Sequence, residues 1–520
     1  MAENGIVLPG IGGDTEELSR VNSLRSIIRE VQKMDQAKRT KIFERLKEVI
    51  TTADIGDGAL YEGEAQKTED IWLIDCIHSY RTLRECSDSC HRAEVANTES
   101  EFDRLLAQVY LELVGGLDGV SVTPLFETNE GIANSPTSHQ LRITGDALES
   151  EDLQQVMFGM SDGPRNDGYL TYINIGNSAW QIQRQAKQQR REITFYHGRS
   201  AFQPRGGYLP ISALPLLFPN GNIDTTFLSQ GDDNLRLFLT PEVAHRFCST
   251  GLSPINNPSW QIDPAFDPNT ELHGVLLRLA ADASKPFLEL TKESDGKNPT
   301  DLDLLLHFGT MIRHLYLKKS PRPDNRSAGR AAGPIDLVAP ALNVWRDSRA
   351  IGCGQLALLN GYDFRTYGIG HALNKIQVHH SNELEVLQEA VGKKPKDGGS
   401  LFTKFLLKGA VKMGRSFDFD SFRTIAKAGP EYEEPINRII DSSELDWGRG
   451  QRALAEIFQD ERLFLSRKNS RHHNAFTLRY NLAASIADRP GILRKPPSPE
   501  LKKEWKRIQT AIATCLSASG

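Results

Sequence analysis

Glu127 and Asp162 are the two carboxylates whose positions first point to chemistry. Each closes a short β-type run: GVSVTPLFE over Gly119–Glu127 and LQQVMFGMSD over Leu153–Asp162. β-branched and aromatic residues between turn residues predict strands. Carboxylates at the ends of neighbouring parallel strands can hold Mg²⁺ or Mn²⁺, hard cations that leave coordination positions open for substrate oxygens. The other reading of each is a helix N-cap or a rim salt-bridge partner. Downstream, FYHGRSAFQPRGGYLP (Phe195–Pro210) sets His197, Arg199 and Arg205 on a run rich in glycine and proline, straight after the strand-like Glu192–Tyr196. Guanidinium forks beside the backbone N–H groups of a turn closed by Gly206 and Gly207 suit a phosphate or a carboxylate, because bidentate hydrogen bonds and positive charge act together. An ordinary loop with solvated arginines would use the same residue types. The residues alone therefore reach a metal- and anion-binding α/β enzyme.

Such residues need elements to position them. A strand, a polar residue at its C-terminal end and then a helix, repeated, is the pattern of a parallel α/β fold; in a (β/α)8 barrel it sets Glu127, Asp162, His197 and Arg199 on one rim. Residues 15–50 predict amphipathic helix, with Leu18, Val21, Leu24, Ile27, Ile28 and Val31 at helical spacing. Further helices are expected from Glu69 to Arg84, from Glu101 to Leu113 (Phe102, Leu105, Leu106, Val109 and Leu113 in phase) and from Trp180 to Arg191. Asn220–Asp232 fits an accessory hairpin or loop, and beyond it the chain turns mainly helical, as over Leu302–Leu317 and Glu383–Val391. Loose connections are expected at 318–334, 392–400 and 489–500, where proline, glycine and basic residues gather.

The totals narrow the classes. The chain has 520 residues, enough for one large barrel or two to three ordinary domains. A net charge of −5 gives no footprint for nucleic acid or an anionic membrane surface. The six cysteines are too sparse for a disulfide framework and fit a reduced cytosol. No apolar run approaches the roughly 20 residues of a membrane span, so a cytoplasmic protein is expected. Cys86, Cys90 and His91 lack the second ligand pair that a zinc site uses, and read as a helix face.

In order, the motifs resemble those of the phosphoenolpyruvate carboxylase family. VTPLFET (Val122–Thr128) is similar to that family's V-x-P-L-F-E-T, and FGMSDGPRNDG (Phe158–Gly168) to its G-Y-S-D-S-x-K-D-A-G. FYHGRSAFQPRGG matches F-H-G-R-G-G-x-x-G-R-G-G in spacing, SQGD (Ser229–Asp232) resembles Q-G-E, and SPRPDNR (Ser320–Arg326) and WRDSR (Trp345–Arg349) look like S-R-P-x-x-R and W-T-Q-x-R. The resemblance runs from about Ala93 to the C-terminus and corresponds to the family's C-terminal half. It implies a helical region over 1–92 and a catalytic barrel over 93–520, shortened or incomplete and carrying many additional helices.

Carried over by position, the resemblance makes Glu127 and Asp162 the ligands of Mg²⁺ or Mn²⁺. Arg205, with Gly206 and Gly207, belongs to the glycine-rich loop over the substrate. His197, Arg199 and Arg349 line the pocket, and Arg165 and Arg322 join the substrate contacts. The family's reaction implies an anionic substrate, phosphoenolpyruvate or a 2-oxo acid, with bicarbonate, handled through an enolate by a homo-oligomer. Three departures qualify the match. The family's T-A-H-P-T-E motif has no counterpart, the first histidine being His78; Ser200–Pro204 replaces a mostly glycine segment; and Arg165 stands where the family has lysine. These departures leave open a partner chain that supplies the missing strands and histidine, or a homologue that binds an anion without turning it over.

Overall fold

The computed structural model describes residues 15–35, 37–39, 41–42, 92–95, 98–113, 121–144, 153–159, 163–197, 222–223, 263–290, 301, 304, 364–394, 397–415, 417–427, 429–464, 470–487, 498–501, 503–505 and 507–508. The expected helices over 69–84 and 302–317, the loose connection over 318–334 and the Cys86–His91 cluster lie outside them, apart from residue 304, which is helical. The chain divides into two compact units. One comprises residues 1–158 and 181–196; the other comprises 159–180 and 197–520.

The first unit is built on parallel strands. β1 (Arg92–Val95), β2 (Ser121–Phe126), β3 (Leu153–Phe158) and β4 (Glu192–His197) follow one another in chain order across the sheet. β1 pairs with β2 from Arg92↔Ser121 to Val95↔Pro124, and β2 with β3 at Leu125↔Met157 and Phe126↔Phe158, both in parallel. Pro124 explains why the second pairing begins so late, since proline offers no N–H to a ladder. Ahead of it the Thr123 hydroxyl joins the strands by donating to Gln155 Oε1 at 3.2 Å, and Arg142 Nη1, from the helix that follows β2, donates to the Gln155 carbonyl at 3.1 Å.

Helices α1 (Thr15–Gln32) and α2 (Glu101–Leu113) pack together through Val21, Leu24, Ile28 and Val31 on one side and Leu105, Val109 and Leu113 on the other. The opposite face of α2 sets Ala107 and Leu111 against Ala93 of β1 and Val122 of β2, so α2 is covered from both sides. That double burial encloses an ion pair: Arg104 Nη2 meets Glu101 Oε1 at 2.6 Å, with the two side chains 2% and 1% exposed. The expectation of one apolar stripe along α1 is corrected at Leu18 and Ile27, which lie to either side of it and are 46% and 43% exposed. The helix also stops at Gln32, short of residue 50. There Arg39 donates to the carbonyls of Gln32, Met34 and Glu112, and Asp35 accepts the Lys38 N–H, starting a separate turn.

A third helix, α3 (Asn129–Thr144), follows β2. After β3 come the short α4 (Gly163–Asp167) and α5 (Thr171–Gln188), which begins well before the expected Trp180. Of the expected 220–232 hairpin only β5, Asn222–Ile223, is described. The rest of the second unit is helical among the described residues: α6 (Glu271–Leu290), α7 (Ile369–His379), α8 (Ser381–Gly392), α9 (Leu401–Gly414), α10 (Phe419–Ala426), α11 (Pro430–Ile457) and α12 (Ser470–Ala487). The protein is thus a helix-rich α/β fold with a parallel sheet.

Two buried aspartates organise the helical part. Asp263 accepts from Ala265 N–H (3.0 Å), the Ser400 hydroxyl (2.6 Å) and Phe402 N–H (3.0 Å), capping a 3₁₀ turn at Pro264–Phe266 and the start of α9 together. The expected loose connection over 392–400 is in its described part a tight turn, with Ser400 N–H donating to Ala390 O at 2.8 Å and Gly399 N–H to Lys394 O at 3.0 Å. Asp446, on α11, supplies the cap that Gly368 cannot give α7: it accepts from Gly368 N–H (3.0 Å) and His371 N–H (2.7 Å). Burial pushes the Asp446 carboxyl above its ordinary range, although these N–H donors pull the other way. A carboxyl raised on folding gives stability that is complete below its unfolded value of about 3.9 and is lost as pH rises through the folded value. The stability of the wild type relative to Asp446→Asn should therefore fall as pH increases from about 4, which urea unfolding at a series of pH values reads directly.

Candidate active site

The described part of the site is the C-terminal end of the sheet. β2 and β3 end in register at Phe126 and Phe158, so Glu127, half-buried, leaves the sheet beside the end of β3. Below this end lies an apolar floor of Phe126, Phe158 and Phe195, whose ring centroids are 6.1 and 6.3 Å apart in succession. An apolar layer under a polar rim keeps the strand ends fixed and the polar groups at the surface of the core.

Glu127 is held from the following helix and from the neighbouring strand. Thr128 caps α3: its hydroxyl oxygen accepts the Gly131 N–H at 2.9 Å and its carbonyl accepts the Ile132 N–H at 2.8 Å. Three residues past the end of β1, Thr98 N–H donates to the Leu125 carbonyl at 3.1 Å. Burial, then the charges of Glu130 and Asp103, push the carboxyl of Glu99, the next residue in the chain, above its ordinary range, and the nearby Thr128 hydroxyl offsets part of this. Asp103 in turn accepts from Glu99 N–H (3.0 Å) and Ser100 N–H (2.9 Å).

In the second unit, the motif segment around Arg165 is tied down at both ends. Gly163 N–H donates to Gly159 O at 2.8 Å, and the Ser284 hydroxyl of α6 to the Asp167 carbonyl at 3.2 Å. Gly168 turns the chain at φ +82°, where an added Cβ would lie 3.3 Å from Arg365 O, so glycine alone fits without strain. Tyr169 then donates its N–H to Arg365 O (2.7 Å) and its hydroxyl to Leu406 O (3.0 Å).

Of the residues expected at the site, Glu127 follows β2, Arg165 is in α4 and His197 is the last residue of β4. Asp162, Arg199, Arg205, Gly206, Gly207, Arg322 and Arg349 lie outside the described residues. Among the described residues no three histidine, cysteine or carboxylate groups come close enough to hold a metal ion, and no helix is long and apolar enough to cross a membrane. Sequence reasoning missed Glu99 and the role of Thr128. Thr128 lay within the quoted VTPLFET, but Glu99 follows a strand of only four residues that no periodicity marks.

Comparison with known proteins bears on the same segments. The family model for phosphoenolpyruvate carboxylase matches residues 18–393. The phosphoenolpyruvate carboxylase of Synechococcus sp. is 27% identical over 346 residues, covering 61% of this chain and 30% of its own. Those of Gloeobacter violaceus and Synechocystis sp. are 25% and 24% identical, each over 58% of this chain and 32% of their own. The chain thus spans about a third of the length of these curated relatives. With the family model matched from the first helix through the sheet and into the helical unit, the chain belongs to the phosphoenolpyruvate carboxylase family.

Proposed function

We propose that this chain is a phosphoenolpyruvate carboxylase-like, metal-dependent carbon–carbon lyase that acts through an enolate on phosphoenolpyruvate or a related 2-oxo acid, by carboxylation, decarboxylation or C–C cleavage. The observation that carries the reading is the family match running through all three leading motifs, VTPLFET, FGMSDGPRNDG and FYHGRSAFQPRGG. The position of Glu127 at the C-terminal end of a parallel strand agrees with it, since that is where such folds build their sites.

The rim chemistry fits a hard divalent cation. It offers carboxylate oxygens, and burial together with the charges of Glu130 and Asp103 pushes Glu99 upward. In this reading Glu127 and Asp162 hold Mg²⁺ or Mn²⁺, which when bound supplies positive charge for the developing enolate. Arg205, with the Gly206 and Gly207 backbone, closes over the substrate. His197, Arg199 and Arg349 bind its phosphate and carboxylate, with Arg165 and Arg322 as further contacts. The architecture proposed is a (β/α)8 barrel, shortened or incomplete, to which β1 to β4 contribute, with residues 1–92 as a helical region and 93–520 as the catalytic part. The protein acts in the cytoplasm as a homo-oligomer, with bicarbonate as second substrate where the outcome is carboxylation.

A second reading has one observation in its favour: the 520 residues contain no counterpart of the T-A-H-P-T-E histidine motif. It is a split enzyme that needs a partner chain for that histidine and the remaining strands, or a homologue that binds the anion only.

The test is to supply the full chain with phosphoenolpyruvate, bicarbonate and Mg²⁺, following oxaloacetate through malate dehydrogenase and phosphate release in parallel. Mg²⁺-dependent phosphate release that disappears in Glu127→Gln is expected. Oxaloacetate beside it identifies carboxylation, and phosphate alone an enolate that is not carboxylated. No phosphate, and no consumption of 2-oxo acids, would overturn the lyase reading in favour of the partner-chain or binding-only alternative.

A further inference from the structure

We infer that Gly168 and Tyr169 are positioning residues for Arg165: their turn locks the one-turn helix α4 onto the main chain of the helical unit. The inference rests on the reading that Arg165 contacts the substrate.

The geometry lies within the second unit, residues 159–180 and 197–520. α4 has five residues, too few for a helix to keep its shape unaided, so the place of Arg165 is set by what anchors the ends. At the C-terminal end the anchors come from three elements distant in sequence. The Ser284 hydroxyl of α6 donates to the Asp167 carbonyl at 3.2 Å, the Tyr169 N–H to the Arg365 carbonyl at 2.7 Å, and the Tyr169 hydroxyl to the Leu406 carbonyl of α9 at 3.0 Å. Tyr169, Arg365 and Leu406 are all buried, so water does not compete for these bonds. At Gly168 an added Cβ would stand 3.3 Å from the Arg365 oxygen and 3.5 Å from Phe287 Cγ. The receiving side is itself fixed by main chain. Gly368, three residues beyond Arg365, lies so close to α6 that an added Cβ would run into the Ala283 carbonyl, and its N–H donates to Asp446 at 3.0 Å. Backbone against backbone leaves no rotamer to absorb a shift, so a displacement at Gly168 is passed on to α4. A binding group works only when held within about 0.5 Å of its productive place, and this turn supplies that constraint for Arg165.

The experiment measures phosphoenolpyruvate binding to the full chain with Mg²⁺ by isothermal titration calorimetry, a readout independent of turnover, with thermal unfolding beside it. Arg165→Ala should weaken binding by about tenfold, the lower end for a hydrogen bond to a charged group. Gly168→Ala, which strains the turn and crowds the Arg365 oxygen, should reproduce most of that loss. Tyr169→Phe, which removes only the bond to Leu406, should cost about threefold. The deciding measurement is the double variant. Gly168→Ala placed on Arg165→Ala should lose nothing further, since both act through one guanidinium, whereas general damage to the fold would add to the loss. Tyr169→Phe placed on Arg165→Ala gives the same decision should Gly168→Ala not fold. Wild-type affinity in both Gly168→Ala and Tyr169→Phe, or additive losses in the double variant, would overturn the positioning role while leaving Arg165 at the substrate. Wild-type affinity in Arg165→Ala, or no binding by the wild type, would overturn the substrate contact, and the positioning role with it.

Discussion

Gly370→Ala is expected to destabilise the helical unit by about 3 kcal/mol, at the upper end of what overpacking a core costs. Gly370 lies in the first turn of α7, and a methyl there would land on the backbone oxygen of Asp446 in α11. Both sides of that contact are main chain, so no rotamer change makes room, and α7 must lift from α11. Lifting also strips Asp446 of the N–H groups of Gly368 and His371 while it stays largely enclosed, and a buried carboxylate short of donors adds its own penalty. Gly414→Ala makes a useful comparison. Its methyl would meet the Trp447 indole, a side chain packed edge-on against Phe417 and Phe464 at centroid distances of 4.9 and 5.9 Å. A ring can shift where a backbone cannot, so a smaller loss is expected. Gly448 has nothing near its missing Cβ, and alanine there should stabilise the helix by roughly 0.5–1 kcal/mol through propensity alone. Urea unfolding of the three variants at unchanged m-value checks the order, and a Gly370→Ala protein as stable as the wild type would rule out the close approach.

What was legible in the sequence divides by how local its cause is. The bounds of α2 and the position of β4 follow from periodicity and β-branched runs that packing does not override. The early start of α5 was hidden because Thr171–Trp180 contains Tyr172, Ile173, Ile175 and Gly176, poor helix formers taken individually. Burial of Tyr172, Ile173 and Ile175 stabilises the helix there despite propensity. α3, with Gly131 and Pro136 inside it, is a similar case. The early end of α1 depends on Arg39 reaching back to two carbonyls, which no apolar spacing encodes. At the site, Glu127 was legible because a carboxylate closing a strand has a positional meaning. Glu99 was not, because its place is set by the approach of Gly131 and Thr128 from elsewhere in the fold.

Arg205→Ala separates an enzyme from a binding protein, and under the proposed function it should cost about 10²- to 10³-fold in turnover, the usual effect of removing one preorganised charge from a transition state. The reasoning turns on when the charge is needed. A phosphoenolpyruvate-like ground state already carries phosphate and carboxylate, which Arg199 and Arg349 are proposed to bind, so removing one further guanidinium should alter substrate affinity modestly. As the enolate forms, charge moves, and an arginine on a loop that closes over the substrate acts most strongly at that moment. Loss concentrated in kcat with KM little changed is the signature of such an interaction. In a protein that only binds the anion there is no turnover to lose, and the same variant would simply weaken phosphoenolpyruvate binding. Glu127→Gln distinguishes the cases from the metal side: it should remove Mg²⁺-dependent turnover in the enzyme, whereas in a binding-only homologue it would change Mn²⁺ affinity without touching any reaction. Steady-state kinetics of Arg205→Ala, together with direct binding of phosphoenolpyruvate to the same variant, therefore tests the chemistry itself, and an unaltered kcat would remove Arg205 from it.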